Sequence, residues 1–190
     1  MASQPKTFLT PEEYLTLERK AEYKSEYIAG EVYAMVGASR RHNLIAGNIF
    51  GELREQLKKR MCEVYTSDMR VRVPATNLYT YPDVIVVCGE PKFEDEHVDT
   101  LLNPTVLVEV LSRSTASYDR TKKFGYYRTI ESLAEYLLVA QDEYKVEQYA
   151  RQQDGRWLLS DISSLEGVVN LDSIQCALSL ADVYDKIELP

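Results

Sequence analysis

The runs YPDVIVV (residues 81–87) and TVLVEVL (residues 105–111) are two apolar stretches that each contain one acid, Asp83 and Glu109. Runs of this length that are rich in β-branched residues predict strands covered on both faces. An ionised carboxylate in such a strand costs several kcal/mol unless a cation or hydrogen-bond donors compensate it. One such acid could be a satisfied structural group. Two of them, followed by the lysine pair at residues 122–123 in a helical segment, indicate a site that holds a metal ion.

Both acids occupy positions that suit neighbouring strands. Pro82 cannot donate a hydrogen bond within a sheet, so it belongs at a strand start or edge and puts Asp83 at the sheet margin. Side chains alternate between the two faces of a strand, so Glu109 shares its face with Leu107 and Leu111. The two acids are 109 − 83 = 26 positions apart, which is enough for a loop and a return to an adjacent strand.

Two helices are predicted before the first of these strands. The sequence TPEE at residues 10–13 has a capping threonine, a proline in the first helical position and a glutamate three places after the cap. Ser39 can cap a second helix that runs to about Arg60 with apolar residues at helical spacing. His42 lies in the first turn of that helix, where a lone histidine is more often an ordinary surface side chain than a ligand or a base.

A further helix is predicted after the Glu109 strand, from Tyr118 to about Thr129. In this helix Asp119 and Lys123 stand four positions apart. Such a pair often lies on the surface, where it contributes only a few tenths of a kcal/mol. Lys123 is therefore either one member of a surface ion pair or a side chain that reaches the two acids.

Length and composition indicate a soluble globular protein. The chain has 190 residues, of which 45% are hydrophobic and 27% charged. We expect a single domain over residues 1–190, with residues 1–9 as a flexible N-terminus. No apolar run approaches the roughly 20 residues that span a bilayer, and no secretory signal is visible, so we expect no membrane partner and a cytoplasmic location.

The cysteines give no spacing that indicates a metal site or a disulfide framework. Cys62, Cys88 and Cys176 lie far apart, their number is odd, and no CxxC motif occurs. We therefore expect buried reduced thiols rather than disulfides or zinc ligands.

The charge of the chain limits how it could meet nucleic acid. A net charge of −8 argues against a protein that coats nucleic acid indiscriminately. It does not exclude a nuclease, because acidic metal ligands add negative charge and a local basic face can act against an acidic average. The basic residues include Arg70, Arg72 and Lys122, which we take as candidate phosphate contacts, although most such charges are only solvated.

These residues suit phosphodiester hydrolysis. Two carboxylates on neighbouring strands can bind Mg²⁺, which keeps several waters for itself and for substrate. The ion polarises a phosphoryl oxygen and lowers the pKa of a bound water, and a nearby lysine can orient that water or stabilise the transition state. Other chemistries lack their motifs: no GxxxxGK[ST], GxGxxG or HExxH sequence occurs, and no serine or cysteine lies in a nucleophile elbow.

From about Thr10 to Tyr184 the chain resembles the Uma family of restriction endonucleases, which belongs to the PD-(D/E)XK nuclease superfamily. The order of the motifs, together with the Asp-Arg-x-x-Lys helix, makes the resemblance specific. The matching motifs are GE before a strand, PDVIVV, VEVLSRST, DRTKKFGYY and EYLLV. The resemblance implies an α/β, restriction-endonuclease-like fold, in which helices flank a central mixed β-sheet.

The resemblance also implies roles for individual residues. Asp83 and Glu109 match the two metal ligands, and Glu31 matches the acid of the first motif, although a glutamate after a glycine is more often a surface charge at a hairpin tip. The lysine that the superfamily places two positions after the second acid is Leu111 here. In the Uma family it has moved to the next helix, where Lys123 matches it.

The leading hypothesis is a Mg²⁺-dependent endonuclease acting on DNA, with Mn²⁺ as a possible substitute. Double-strand cutting needs two sites, so a homodimer is expected by analogy. One alternative is a catalytically weak or inactive module of the same fold that binds nucleic acid or a partner protein. Another is a nuclease acting on RNA or branched DNA. The recognition sequence is not encoded in any visible base-reading motif.

Overall fold

The structure of the chain is a computed structural model that describes residues 8–112 and 115–189. Residues 1–7 of the expected flexible N-terminus, and residues 113–114 of the VEVLSRST motif, lie outside the described residues. The helices are α1 (Pro11–Glu18), α2 (Arg40–Leu57), α3 (Ala116–Tyr118), α4 (Phe124–Tyr127) and α5 (Leu180–Val183), with a 3₁₀ turn at Pro74–Thr76 and a π-helical turn at Asp119–Lys123. The strands are β1 (Ser25–Ile28), β2 (Glu31–Ala34), β3 (Cys62–Thr66), β4 (Arg70–Val73), β5 (Leu78–Thr80), β6 (Val84–Cys88), β7 (Thr100–Leu101), β8 (Val106–Leu111), β9 (Glu135–Ala140), β10 (Val146–Arg151), β11 (Trp157–Ile162), β12 (Val168–Leu171) and β13 (Cys176–Ser179).

The centre of the fold is a mixed sheet with the strand order β11-β10-β9-β8-β6-β3. Within it β8 and β9 run parallel, and the other neighbours are antiparallel. A second sheet, of order β2-β1-β5-β4-β7, packs against one face of the central sheet, and the β12–β13 hairpin lies on the other face. The predicted α/β fold, with helices flanking a central mixed sheet, is confirmed.

The predicted burial of the two acid-bearing strands on both faces is confirmed. On one face, Val106, Val108 and Val110 of β8 join the core that contains α2. On the opposite face, Leu107 and Leu111 join the core beneath the second sheet. Glu109 falls on this second face because side chains alternate along a strand.

Helix α2 covers the first face because its sequence has both a start signal and an apolar stripe. Ser39 caps it, with its side chain accepting a hydrogen bond from the backbone N–H of His42. Ile45, Ile49 and Leu53, followed one turn later by Leu57, are completely or almost completely buried. Burial of each such side chain contributes about 1.5–3 kcal/mol, so this stripe holds the first turn of α2 in place against the central sheet.

The helix predicted from Tyr118 to about Thr129 is interrupted by a π-helical turn. The backbone N–H of Phe124 bonds to the carbonyl of Asp119, five residues earlier, so the turn holds one residue more than an α-helical turn. Asp119 and Lys123 both point inward and are 3% and 5% exposed. The alternative in which these two residues form a surface ion pair is therefore wrong.

The prediction of reduced thiols is wrong for two of the three cysteines. Strands β3 and β6 pair antiparallel with Cys62 directly opposite Cys88, and the two form a disulfide. The pairing follows from the register of two strands that are distant in sequence, which cysteine spacing does not report. Cys176 is a free, buried thiol, as predicted.

The N-terminal part of the described chain is attached to the second sheet. Helix α1 has the predicted capping box between Thr10 and Glu13. Just before it, the backbone N–H of Leu9 donates to the carbonyl of Gly30. None of the helices in residues 8–112 and 115–189 is both long and apolar enough to cross a membrane.

Candidate functional site

Asp83 directly precedes β6, and Glu109 lies at the facing position of the adjacent strand β8. The antiparallel register of β6 and β8 pairs Val84 with Val108, so the next facing positions outward are those of the two acids. Facing side chains of an antiparallel pair point to the same side of the sheet. The two carboxylates therefore converge although 26 positions separate them in the sequence.

Asp83 is held from two sides. The backbone N–H of Val110 donates to its Oδ2 at 2.7 Å. The Nε2 atom of His42 lies 2.8 Å from its Oδ1. Both side chains are about one-sixth exposed, so the carboxylate is oriented by one donor from β8 and one group from α2.

Glu109 is a buried carboxylate with two polar partners. Its Oε1 lies 2.9 Å from Lys123 Nζ and accepts a hydrogen bond from the Tyr127 hydroxyl at 2.7 Å. Burial raises the pKa of Glu109 to about 8, with Lys123 opposing the rise and the charges of Asp83 and Asp119 adding to it. Burial thus disfavours the ionised form of Glu109, and the ammonium of Lys123 beside it favours that form.

Lys123 is the cation at the centre of this acidic group. Its Nζ lies 3.0 Å from Glu26 Oε1, 2.9 Å from Glu109 Oε1 and 3.9 Å from Asp119 Oδ1. Burial lowers the pKa of Lys123, but the charges of these three acids outweigh burial and hold it well above its ordinary value. Lys123 thus stays protonated at neutral pH. Lys123 is buried, whereas the neighbouring Lys122 is exposed.

Glu26 is a member of the site that sequence reasoning missed. It lies in the middle of β1, and its Oε1 also accepts a hydrogen bond from Thr80. The sequence signal was weak, because SEYI is too short for its alternation of buried and half-buried residues to be recognised. Like Glu109, Glu26 is an acid with strand residues on both sides. Its strand, β1, has only four residues, whereas β8 has six.

Glu31 is not brought together with the other predicted site residues. It opens β2 at the turn of the β1–β2 hairpin, opposite Ile28, and accepts a hydrogen bond from the Tyr33 hydroxyl. The described residues that line the cavity at the site include Glu26 but not Glu31. Of the two glutamates of the β1–β2 hairpin, it is thus Glu26 that lies against Lys123, at 3.0 Å.

The predicted phosphate contacts divide into internal and exposed side chains. Arg70 is 3% exposed; its guanidinium donates to Thr100 and Tyr81 and lies 3.0 Å from Asp99. This pairing inside the protein leaves it unavailable to a phosphate, so its predicted role is corrected to a structural one.

Arg72 is also engaged within the protein. It pairs with Glu94, and its guanidinium lies 5.4 Å from the centre of the Tyr79 ring. Lys122 is exposed on the π-helical turn next to Lys123. Of the three candidates, Lys122 is the one whose side chain is open to solvent.

A cavity of about 760 Å³ opens over the acids. Its floor contains Glu26, Asp83, Glu109, Asp119 and Lys123. Its other walls come from the end of β2 and the segment that joins it to α2, from the first turns of α2, and from the residues that follow β8. The lining residues from these parts include Tyr33, Met35, Val36, Ser39, His42, Phe50, Ser112 and Tyr118. A charged floor and a largely apolar rim can receive a ligand that has both a phosphate and an apolar part.

The donor set at this floor fits a hard divalent ion. In the described parts of the chain, no three His, Cys, Asp or Glu side chains are already arranged as a metal cluster. Mg²⁺, however, usually takes only one or two carboxylates and keeps several waters, and Asp83 and Glu109 supply two. Burial is the main cause of the raised pKa of Glu109, and the charges of Asp83 and Asp119 add to it. The four acids of the floor together exceed the charge of Lys123. An added cation would relieve this excess of negative charge, with release of the Glu109 proton.

Comparison with known proteins places the chain in a family. The model of the Uma2 family, described as "Putative restriction endonuclease", matches residues 11–182. The Synechocystis protein sll1609 (strain PCC 6803) is 44% identical over 154 residues, which are 81% of this chain and 87% of the relative. A second protein of that organism, slr1290, is 34% identical over 182 residues, 96% of this chain and 94% of the relative. Both are named as uncharacterized proteins.

The fold also matches a solved structure. A crystal structure from Anabaena variabilis, described as a putative nuclease belonging to DUF820, superposes with a TM-score of 0.78. The match covers 95% of this chain and 99% of the other at 21% sequence identity, so it bears on the fold alone. The family match over residues 11–182 and the two relatives decide the classification: the chain belongs to the Uma2 family of putative restriction endonucleases.

Proposed function

We propose that the protein is a Mg²⁺-dependent endonuclease that hydrolyses phosphodiester bonds in DNA, and that Mn²⁺ can replace Mg²⁺. The observation that carries this proposal is the convergence of Asp83 and Glu109 beside the buried Lys123 at the floor of one cavity. Membership in a family described as restriction endonucleases agrees with it.

Asp83 and Glu109 would hold the ion, and Glu26 completes the acidic group around Lys123. When bound, Mg²⁺ would polarise a phosphoryl oxygen and lower the pKa of a coordinated water. The carboxylates of Asp83 and Glu109 are ligands only when ionised, and the Val110 N–H and the Tyr127 hydroxyl orient them through fixed hydrogen bonds. This chain's contribution is thus a preorganised pair of oxygen ligands in a partly buried site.

Lys123 acts in this proposal as a positive charge rather than as a base. Its pKa is held well above its ordinary value by the three surrounding acids, although burial opposes them. A lysine that keeps its proton cannot take one from water. Its ammonium can donate to a non-bridging phosphoryl oxygen and so stabilise the charge that develops in the transition state.

The approach of DNA would rely on local positive charge. The net charge of −8 disfavours general attraction of a polyanion, and Lys122 is exposed near the cavity. Two copies would be needed to cut both strands, which is why we propose a homodimer. We also propose a cytoplasmic location, in which the Cys62–Cys88 disulfide would be an exception to the reduced thiols usual there.

A second candidate is a module of the same fold that binds nucleic acid or a protein without cutting. It is favoured by the contacts that the two acids already make within the protein. Asp83 contacts His42 and Val110, and Glu109 contacts Tyr127 and Lys123. Such a module needs no metal. Divalent-ion binding that is lost in Asp83→Ala therefore separates the two candidates.

The central test is cleavage of supercoiled plasmid and labelled oligonucleotides with Mg²⁺ or Mn²⁺. We expect the wild-type protein to nick or cut DNA and Glu109→Gln to be about 100-fold slower, because glutamine keeps the shape but removes the charge that holds the ion. Single-stranded, branched and RNA substrates in the same panel decide the preferred nucleic acid. Equal rates for the two proteins, or no cutting of any substrate by the wild type, would contradict the proposal.

The two glutamates of the β1–β2 hairpin should differ in their effect on cleavage. We expect Glu26→Gln to reduce the cleavage rate by about 10–100-fold, because it removes one charge that supports Lys123 and the metal ligands. Glu31→Gln is the matched control at the hairpin turn, and its rate should stay within about twofold of the wild type. The measurement is the initial rate of plasmid nicking. A larger loss of nicking rate in Glu31→Gln than in Glu26→Gln would show that Glu31 is the acid of the first motif.

A further inference from the structure

His42 lines the cavity and has no role in the proposed function. It lies in the first turn of α2 and is about one-sixth exposed. Its Nε2 is 2.8 Å from Asp83 Oδ1. An ionised carboxylate can only accept a hydrogen bond, so Nε2 carries the proton and donates to Asp83.

The backbone around His42 is fixed to the central sheet. The Ser39 hydroxyl accepts a hydrogen bond from the His42 N–H and donates to Gln141 Oε1 at 2.6 Å. Gln141 directly follows β9, and its side-chain amide donates to the carbonyl of Leu111 at the end of β8. The start of α2 is thus tied to the two parallel strands that flank the site, which leaves the imidazole little freedom to move away from Asp83.

The two donors to Asp83 come from different elements and reach different oxygens. Val110 N–H bonds Oδ2 from β8, and His42 bonds Oδ1 from α2. A carboxylate held at both oxygens cannot rotate about its Cβ–Cγ bond, but each oxygen keeps a second lone pair. Groups of this kind, one step removed from a metal, typically change metal affinity by 10–100-fold.

We propose that His42 is a positioning residue: by donating from Nε2 to Asp83 Oδ1 it fixes this carboxylate in the orientation in which it binds a divalent cation together with Glu109. The inference rests on the proposed function, because it concerns the same site. It assigns His42 an effect on metal affinity that acts through Asp83. A direct ligand role for the imidazole is disfavoured, since Mg²⁺ prefers oxygen ligands.

The test is Mn²⁺ binding by titration calorimetry with the full chain. We compare wild type with His42→Ala and His42→Gln, and use His97→Gln as the matched control. The chain has two histidines, and His97 lies in an exposed position beside Asp95, away from the cavity. We expect the Kd for Mn²⁺ to rise about 10–100-fold in His42→Ala. It should return to within a few-fold of wild type in His42→Gln, whose amide can donate to Asp83, and stay unchanged in His97→Gln.

Thermal unfolding of the metal-free variants separates positioning from a purely structural role. If His42 only supports the fold, His42→Ala lowers the melting temperature but leaves the Kd for Mn²⁺ unchanged, and the proposal is overturned. A Kd for His42→Gln as high as that of His42→Ala also overturns the proposal, because a donor to Asp83 would then not restore binding. If the alanine variant fails to fold, His42→Leu replaces it, because leucine keeps more of the volume but cannot donate to Asp83; the same rise in Kd is expected, and an unchanged Kd overturns the proposal.

Failure of the positioning role and failure of the proposed function give different results. When wild type binds Mn²⁺, Asp83→Asn does not, and His42→Ala binds as well as wild type, only the role of His42 is overturned. When wild type itself binds no Mn²⁺, the proposed metal-dependent function fails, and the role of His42 fails with it.

Discussion

A Lys123→Met variant is expected to lose about 3–5 kcal/mol of unfolding free energy and to cleave DNA about 1,000-fold more slowly. Methionine fills a similar volume but leaves Glu26, Glu109 and Asp119 without the cation that lies among them. Removal of one partner from a buried group of charges typically costs this amount, because the remaining charges stay out of water. The rate falls further because the positive charge at the phosphoryl group is lost.

The neighbouring lysine is the matched control for this experiment. Lys122→Met removes the same charge one position earlier, from an exposed side chain on the same π-helical turn. It should change the unfolding free energy by less than about 0.5 kcal/mol. Urea unfolding of the metal-free proteins gives the stabilities, and initial rates of plasmid nicking with Mg²⁺ give the activities.

Protonation of Glu109 partly offsets the instability of Lys123→Met. The pKa of this acid is already raised to about 8 by burial, with Lys123 opposing the rise. Without Lys123 the pKa of Glu109 should rise further, so that an even smaller fraction of Glu109 is ionised at pH 7 and less charge is left unpaired. Equal losses of stability in the two lysine variants would show that the ammonium of Lys123 is not the cation of the site.

The acid-bearing strands were predictable because their signal is local. Each run has a hydrophobic pattern long enough to identify a buried strand, and a charge within such a run stands out. The same holds for α2, whose cap and apolar stripe lie within one stretch of sequence. The facing positions of Asp83 and Glu109 then follow from the antiparallel pairing of two neighbouring strands.

The features that were not predicted depend on long-range register or on subtle local geometry. Cys62 and Cys88 meet because β3 pairs with β6, and no spacing rule contains that pairing. The π-helical turn adds one residue between Asp119 and Phe124, which a helical periodicity of 3.6 residues cannot represent. Glu26 lies in a strand too short for its alternation of buried and half-buried residues to be recognised. The Gly-Glu pair is more conspicuous in the sequence, so Glu31 was predicted instead.

Arg70 illustrates how composition alone misassigns a basic residue. Two arginines on one strand suggest a phosphate-binding face, but Arg70, in β4 of the second sheet, is bonded to Tyr81 and paired with Asp99. Its guanidinium is also 6.0 Å from the centre of the Tyr14 ring. Arginine is well suited to such internal sites, because its planar group stays charged while it stacks on aromatic rings and donates several hydrogen bonds. Its contribution is therefore expected in stability rather than in DNA affinity.

An Arg70→Met variant should lose about 3 kcal/mol of unfolding free energy and keep the salt dependence of DNA binding. The loss comes from charge-assisted hydrogen bonds to Thr100 and Tyr81 and from the contact with Asp99. Asp99 keeps Arg19 as a second partner, which limits the cost. Urea unfolding measures the stability, and binding of a labelled duplex at several salt concentrations gives the slope of log K against log salt.

The same two measurements on Lys122→Met distinguish a phosphate contact from a structural arginine. A side chain that touches a phosphate reduces the salt slope by about 1 when it is removed, without a loss of stability. We expect this pattern for Lys122, which is exposed, and the opposite pattern for Arg70, which is 3% exposed. A reduced slope with unchanged stability in Arg70→Met would return this arginine to the DNA-binding face.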